Sequence, residues 1–146
     1  MAEVWKVVPS YPDILASSNG RILLPPSHAP LHNGGYRSYN TKPVLGVKKR
    51  ARKSASHVYL AIWTRRFGNL KVHQLVCEAF HGPKPFPGAV VMHADENALN
   101  NSAGNLSWGT QKENLNAPGF KAKCCQRKYL RNQKPADREI KPARAA

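Results

Sequence analysis

Between Val91 and Asn114 the chain reads VMHADENALNNSAGNLSWGTQKEN, which sets one His and two well-separated Asn, His93, Asn105 and Asn114, around a turn-rich centre. Such a set can hold one metal ion against a phosphate. Hydrolysis of a phosphodiester is slow because its negative charge repels the nucleophile and its leaving alkoxide is poor. A base for water and a cation for the leaving oxygen answer those two difficulties. An imidazole titrates near neutral pH, so His93, at a strand end beside an open loop, suits the first role. Taken alone, the same residue reads as an ordinary surface His.

Local signals say how these side chains are carried. Val90 and Val91 are β-branched and lead into His93. Turn-prone Asp95, Asn97, Asn100, Asn101 and Gly104 follow, and Leu106-Ser107-Trp108 reads as the returning strand. Thr110-Gln111-Lys112-Glu113 has the capping-box pattern, which predicts a helix from Gln111 that Pro118-Gly119 stops after about two turns.

On these residues the segment resembles the HNH nuclease family, in the branch found in phage homing endonucleases. There a His on the first strand is followed by a DGN-like turn, NN, NL-x-W, T and EN. The matching residues are His93, Asp95, Asn97, Asn100, Asn101, Asn105, Leu106, Trp108, Thr110, Glu113 and Asn114. Val4-Trp5-Lys6-Val7-Val8-Pro9, Tyr11 and Ser18-Asn19-Gly20-Arg21-Ile22 look like the small β module that precedes the nuclease in those enzymes. The resemblance implies an α+β fold, a small N-terminal β module followed by a ββα-metal (HNH) nuclease motif and a basic C-terminal tail. It also implies a DNA endonuclease that uses one divalent ion, Mg2+ or Mn2+. It makes His93 the general base and Asn105 the residue that orients the hairpin and the His, although an Asn before a strand also stabilises turns by itself. It makes Asn114 a metal ligand through its amide oxygen, against the plainer reading of a solvent-facing helix Asn.

Met92 departs from the pattern. Many relatives carry Asp or Asn before the catalytic His to complete the metal site, and a thioether is too soft for Mg2+. Three readings follow. The ion is held by Asn114, waters and phosphate oxygens; or Asp95 or His73 substitutes; or catalysis is lost and a nucleic-acid-binding protein remains. Asp95 also fits the Asp of the DGN-like turn, with Glu96 in place of its Gly.

Composition points the same way. In 146 residues, 23 Lys and Arg against 8 Asp and Glu give a net charge of +15, which points to a polyanionic partner, nucleic acid, and the resemblance implies that it is double-stranded DNA. The charge is concentrated rather than mixed. Lys42, Lys48, Lys49, Arg50, Arg52, Lys53, Arg65, Arg66 and Lys71 follow one another with no acid between. After Gly119, Lys121, Lys123, Arg127, Lys128, Arg131, Lys134, Arg138, Lys141 and Arg144 face only Asp137 and Glu139. Contacts to phosphates from such runs confer affinity and salt dependence rather than sequence choice. A basic scaffold of ribosomal type is the weaker alternative. Cys77 and the adjacent Cys124-Cys125 lack the CxxC spacing of structural zinc, which leaves three reduced thiols rather than a site with His81. With no leader and no apolar run long enough for a bilayer, the expectation is a cytoplasmic monomer.

The remaining chain divides into a DNA-contacting β module over residues 1–70, the nuclease over 71–118 and a basic flexible tail over 119–146. In the module the expected elements are a strand, a turn at Tyr11-Pro12-Asp13, a second strand ending near Asn19-Gly20, and an exposed loop from Leu23 to Ser38. A hairpin of Pro43–Val47 with Ser56–Thr64 follows, its tip the run Lys48–Lys53. Val72, Leu75, Val76, Ala79 and Phe80 recur at helical spacing, which predicts a helix over Lys71–Phe80 under the nuclease hairpin. Gly82–Gly88 is a proline-rich connector. The core is assigned to Val72, Leu75, Val76, Phe80, Val90, Leu106 and Trp108, with Trp5 and Trp63 as further candidates. Groove and phosphate contacts are assigned to Arg21, Arg37, the Lys48–Lys53 run, Lys121, Lys123, Arg127 and Lys128. The tail is expected to be disordered or partly helical until DNA is present.

Overall fold

The computed structural model describes residues 2–50 and 58–132. The described residues form ten strands and three α-helices: β1 (Trp5–Val8), β2 (Tyr11–Ser17), β3 (Ile22–Leu23), β4 (Ser27–Pro30), β5 (Tyr36–Tyr39), β6 (Val47–Arg50), β7 (Val58–Thr64), β8 (Gly68–Lys71), α1 (Val72–His81), β9 (Val90–His93), β10 (Leu106–Gly109), α2 (Gln111–Asn116) and α3 (Pro118–Asn132). Every paired strand is antiparallel, in two three-stranded sheets, β1-β2-β3 and β6-β7-β8, and two hairpins, β4-β5 and β9-β10.

α1 is the centre of the molecule. Its apolar stripe buries Val72, Leu75, Val76 and Cys77, as the spacing predicts, and the helix starts at Val72 rather than Lys71 because Lys71 is still extended in β8. One cluster joins that stripe to Val8, Ile14, Ala16 and Ile22 of the first sheet, to Leu60, Ile62 and Leu70 of the second, and to Ala103 just before β10 and Leu106 at its start. Burial pushes the Cys77 thiol up to about 12, so it packs as a small apolar side chain. Phe80 and Trp108 pack against the cluster, and the Trp108 indole donates to the Gly82 carbonyl (2.9 Å).

Several expectations change. The first turn falls at Pro9-Ser10, where β1 gives way to β2, so Tyr11-Pro12-Asp13 lies inside a strand. The segment expected as a loop from Leu23 to Ser38 contains the β4-β5 hairpin. Gly34 has φ +83°, and the Leu31 and Gly35 backbones bond across the Asn33-Gly34 turn, so the turn pair outweighs the poor strand composition of SHAP. Lys48, Lys49 and Arg50 are strand residues of β6, paired with Leu60, Tyr59 and Val58, rather than a hairpin tip. Arg52 and Lys53 lie outside the described residues. Trp63 is 65% exposed: in β7 the inward positions are Leu60 and Ile62, and Trp63 falls on the opposite face. Trp5 is half-buried.

The stop at Pro118-Gly119 also has a different sequel. Ala117 is extended (φ −53°, ψ 136°), as a residue before proline tends to be, and this ends α2. Pro118 then occupies the first position of α3, where its fixed φ helps and its missing N–H costs nothing. The tail therefore begins with a 15-residue helix, Pro118–Asn132. No described helix is long and apolar enough to cross a membrane.

Candidate active site

The β9-β10 hairpin, the loop between its strands and α2 build the site. Leu106 pairs with His93, Ser107 with Met92, Trp108 with Val91 and Gly109 with Val90, which leaves His93 as the last strand residue before the loop. Asn105 closes that loop. Its backbone carbonyl accepts from Ala94 N (2.9 Å), its Oδ1 accepts from Asp95 N (3.0 Å), and its Nδ2 donates to Asp95 Oδ1 (2.8 Å) and to the Asn100 carbonyl (2.9 Å).

Asp95 is the other half of the closure. Besides Asn105, its carboxylate accepts from Asn97 N (2.9 Å) and Asn100 Nδ2 (2.7 Å), with the Asn100 bond first among the contacts that hold its carboxyl below the usual carboxylate range. Both Asp95 oxygens thus already accept N–H groups. Glu96 follows with φ +56°, the left-handed conformation that a glycine takes in a DGN-like turn. Its carboxylate accepts the backbone N–H of Gly119 (2.6 Å), across 23 residues of sequence, and so tethers the first turn of α3 to the loop.

His93 is held from two sides. Its Nε2 lies 3.2 Å from Asn101 Oδ1. Its ring meets the His73 ring edge-on, with centroids 5.5 Å apart and planes at 70°. His73, on α1, is pushed down to about 4, chiefly by burial and then by the nearby His93 and Lys71, so it is neutral at pH 7. Asn101 itself is buried, 4% exposed. From sequence Asn101 reads only as a turn residue. Its one local signal is the Asn100-Asn101 doublet, which cannot say which amide turns inward.

α2 carries Asn114. Thr110 caps the helix in both directions, with Glu113 N donating to Thr110 Oγ1 (3.1 Å) and Thr110 N donating to Glu113 Oε2 (2.7 Å). The backbone bond from Thr110 leads the contacts that lower the Glu113 carboxyl. His93, His73, Met92, Asn114 and Glu96 line one open cleft of about 910 Å3, and Phe120, Cys124 and Arg127 of α3 line its other side. Met92 lies over Gly109; a Cβ there would stand 2.5 Å from the Met92 methyl carbon.

Among the described residues no group of three or more His, Cys, Asp or Glu could hold a metal ion. His81 is engaged with the Ala103 carbonyl (2.8 Å). Hard oxygen donors that line the cleft include the Asn114 amide, beside the Glu96 and Glu113 carboxylates, each already engaged, and an amide oxygen suits an ion that keeps most of its waters, as Mg2+ does.

The expected DNA-contacting residues lie on several surfaces. Arg21 is paired with Glu3 and lies 5.9 Å from the Trp5 ring. Arg37 is exposed on β5 over Tyr39 (5.6 Å). Lys48 and Arg50 are exposed on β6, while Lys49 is bonded to Asn69. Lys121 is exposed on α3, Arg127 reaches the cleft from that helix, and Lys123 and Lys128 lie along it.

Residues 70–116 match the model of a family described as HNH endonuclease. No curated protein matches. A solved structure described as "DNA binding and cleavage by the HNH homing endonuclease I-HmuI" aligns at 25% identity over 89% of this chain and 68% of that one, with a TM-score of 0.45. The stretch that matches the HNH endonuclease model runs from β8 to α2 and is the one that carries His93, Asn105 and Asn114.

Proposed function

We propose that the protein is a DNA endonuclease that hydrolyses phosphodiester bonds with His93 as general base and one divalent ion, Mg2+ or Mn2+, beside Asn114. The observation that carries this reading is the arrival of His93 from β9 and Asn114 from α2 at one open cleft, inside the segment that matches the HNH endonuclease family. Asn105 and Asp95 act by closing the loop that presents His93; Asp95, whose two oxygens accept from Asn97, Asn100 and Asn105, would serve an ion through that loop. When bound, the ion supplies charge for the leaving oxygen. His93 takes the proton of the attacking water. The net charge of +15, with Arg37, Lys48, Arg50, Lys121 and Arg127 on the surface and at the cleft, supports a DNA duplex as the substrate, bound by a monomer through its phosphates.

The test is cleavage of supercoiled plasmid by purified protein with Mg2+ or Mn2+, and none with EDTA. His93→Ala should cut about 100- to 10,000-fold more slowly with DNA affinity little changed. Equal cutting by parent and variant would remove His93 from the chemistry. One observation favours a second reading, a DNA-binding protein that no longer cuts: the thioether of Met92 lines the cleft where a hard ligand would serve the ion. Tight DNA binding without cleavage under any divalent ion would select it.

A further inference from the structure

Two buried side-chain polar atoms lack a hydrogen-bond partner among the described residues, Asn101 Nδ2 and His73 Nδ1. Both belong to residues that touch His93. Buried polar groups are nearly always paired, so two exceptions against one side chain ask for a reason at that side chain. Asn101 and Ser17 are the buried polar residues of the described chain, and Ser17 is explained by its own partner, since its hydroxyl accepts the Arg21 N–H (2.9 Å). What Asn101 meets is the imidazole of His93.

Its backbone is fixed independently of that contact. Gly20, at φ +80°, lies so close that a Cβ there would stand 2.8 Å from the Asn101 carbonyl oxygen, and Ala103 N donates to the Ser18 carbonyl (2.9 Å). The turn between β2 and β3 therefore clamps the loop from behind. Asn105, by contrast, spends its whole amide on Asp95 and Asn100.

We propose that Asn101 is a positioning residue that holds His93 protonated on Nε2, so that Nδ1 is the nitrogen that takes the proton from water. A neutral imidazole has one N–H and one lone pair, and an amide oxygen can only accept. With Asn101 Oδ1 as acceptor at 3.2 Å, a neutral His93 ring makes this bond only with its hydrogen on Nε2 and its lone pair on Nδ1. The edge of the His73 ring, 5.5 Å away, limits rotation of the imidazole from the other side. In the reaction, an O–H bond of water breaks as its proton passes to Nδ1, and the water oxygen bonds to phosphorus. The bond from phosphorus to the leaving sugar oxygen breaks, and that oxygen takes a proton from solvent. The unpaired Asn101 amino group is the cost of aiming the carbonyl end at the ring.

The proposal rests on the reading of His93 as the base, and two measurements separate them. Long-range 1H–15N correlation spectra of the full-length parent protein at neutral pH identify which His93 nitrogen carries hydrogen; Nε2 is expected. The Nδ1-protonated form, which would need the Asn101 amide turned to donate, overturns the proposal. Plasmid cleavage then compares Asn101→Leu, similar in volume but without an acceptor, with Asn101→Asp, which keeps one. Asn101→Leu should lower kcat about 10- to 100-fold, as loss of a supporting hydrogen bond commonly does, with KM unchanged and the Nε2–H preference lost. Asn101→Asp should keep the tautomer and recover most of the rate. Parent-like cutting by Asn101→Leu, or no advantage of Asn101→Asp over it, also refutes the role. A parent that carries the Nε2 hydrogen but cuts no DNA supports the geometry and defeats only the nuclease reading.

Discussion

His73 makes the stability of the fold depend on pH in a window where its contribution can be isolated. In the unfolded chain a His takes up its proton near 6.5; in the folded protein His73, packed among Tyr59, His93 and the nearby Lys71, resists it down to about 4. Between those values the unfolded state binds more protons, so stability rises with pH. The contribution is fully present above 6.5 and is lost as the pH falls towards 4. At about 1.36 kcal/mol per pH unit the whole gap corresponds to about 3 kcal/mol, and about 2 kcal/mol of it is gone by pH 5. His73→Phe keeps an aromatic edge against His93 without a titrating group. Urea unfolding of parent and variant at pH 5, 6 and 7 gives the comparison. The parent should lose about 2 kcal/mol more than the variant between pH 7 and pH 5, equivalent to about 1 M in the urea midpoint. If both lose the same stability over that range, His73 is not the buried neutral group described here.

Asn114→Ala should raise the Mg2+ or Mn2+ concentration that gives half-maximal cleavage, and Met92→Asp should lower it by adding a hard ligand beside His93; a metal titration unmoved by Met92→Asp would show that position 92 does not serve the ion. Gly119→Ala would place a Cβ 1.8 Å from Glu96 Oε2, so it should break the tether of α3 and speed the reaction of Cys124 with a thiol reagent; an unchanged labelling rate would mean that α3 does not depend on that contact. Deleting the residues after Gly119 should reduce the slope of log affinity against log salt by about one for each phosphate that the tail neutralises, as read from gel shifts at several salt concentrations. An unchanged slope would make the tail's charge merely solvated.

The parts of this fold that can be read from the chain are those with local causes. The capping box of Thr110 and Glu113, the stripe of α1 and the paired strands around His93 are written in residues a few positions apart, and each forms where its pattern lies. The parts that cannot be read depend on distant partners. A sequence full of Asn gives no sign that Asn101, rather than Asn105, reaches the imidazole, because the choice is made by Gly20, some eighty residues earlier. The polar sequence of α3 hides a helix whose first turn is tied down by Glu96. The same Glu accounts for a motif departure, since the residue that replaces a flexible glycine takes its unusual backbone and also secures that helix. Trp63 reads as core because tryptophan favours interiors, while strand alternation turns it outward.

The single cluster shared by the first sheet, α1 and the β9-β10 segment bears on how the stretch that matches the HNH endonuclease model can be inherited or borrowed. Residues 70–116 look like a transferable cassette, yet Val72, Val76, Ala103 and Leu106 are covered by Val8, Ile14, Ala16 and Ile22. Cut at residue 70, the segment would expose that apolar face and lose the support behind its loop. A graft onto a different module would therefore have to include the strands from Trp5 onward, or design a new lid for α1. Synthesis runs in the favourable direction. The β1-β2-β3 sheet leaves the ribosome before β9 and β10, so a docking surface exists before His93 emerges.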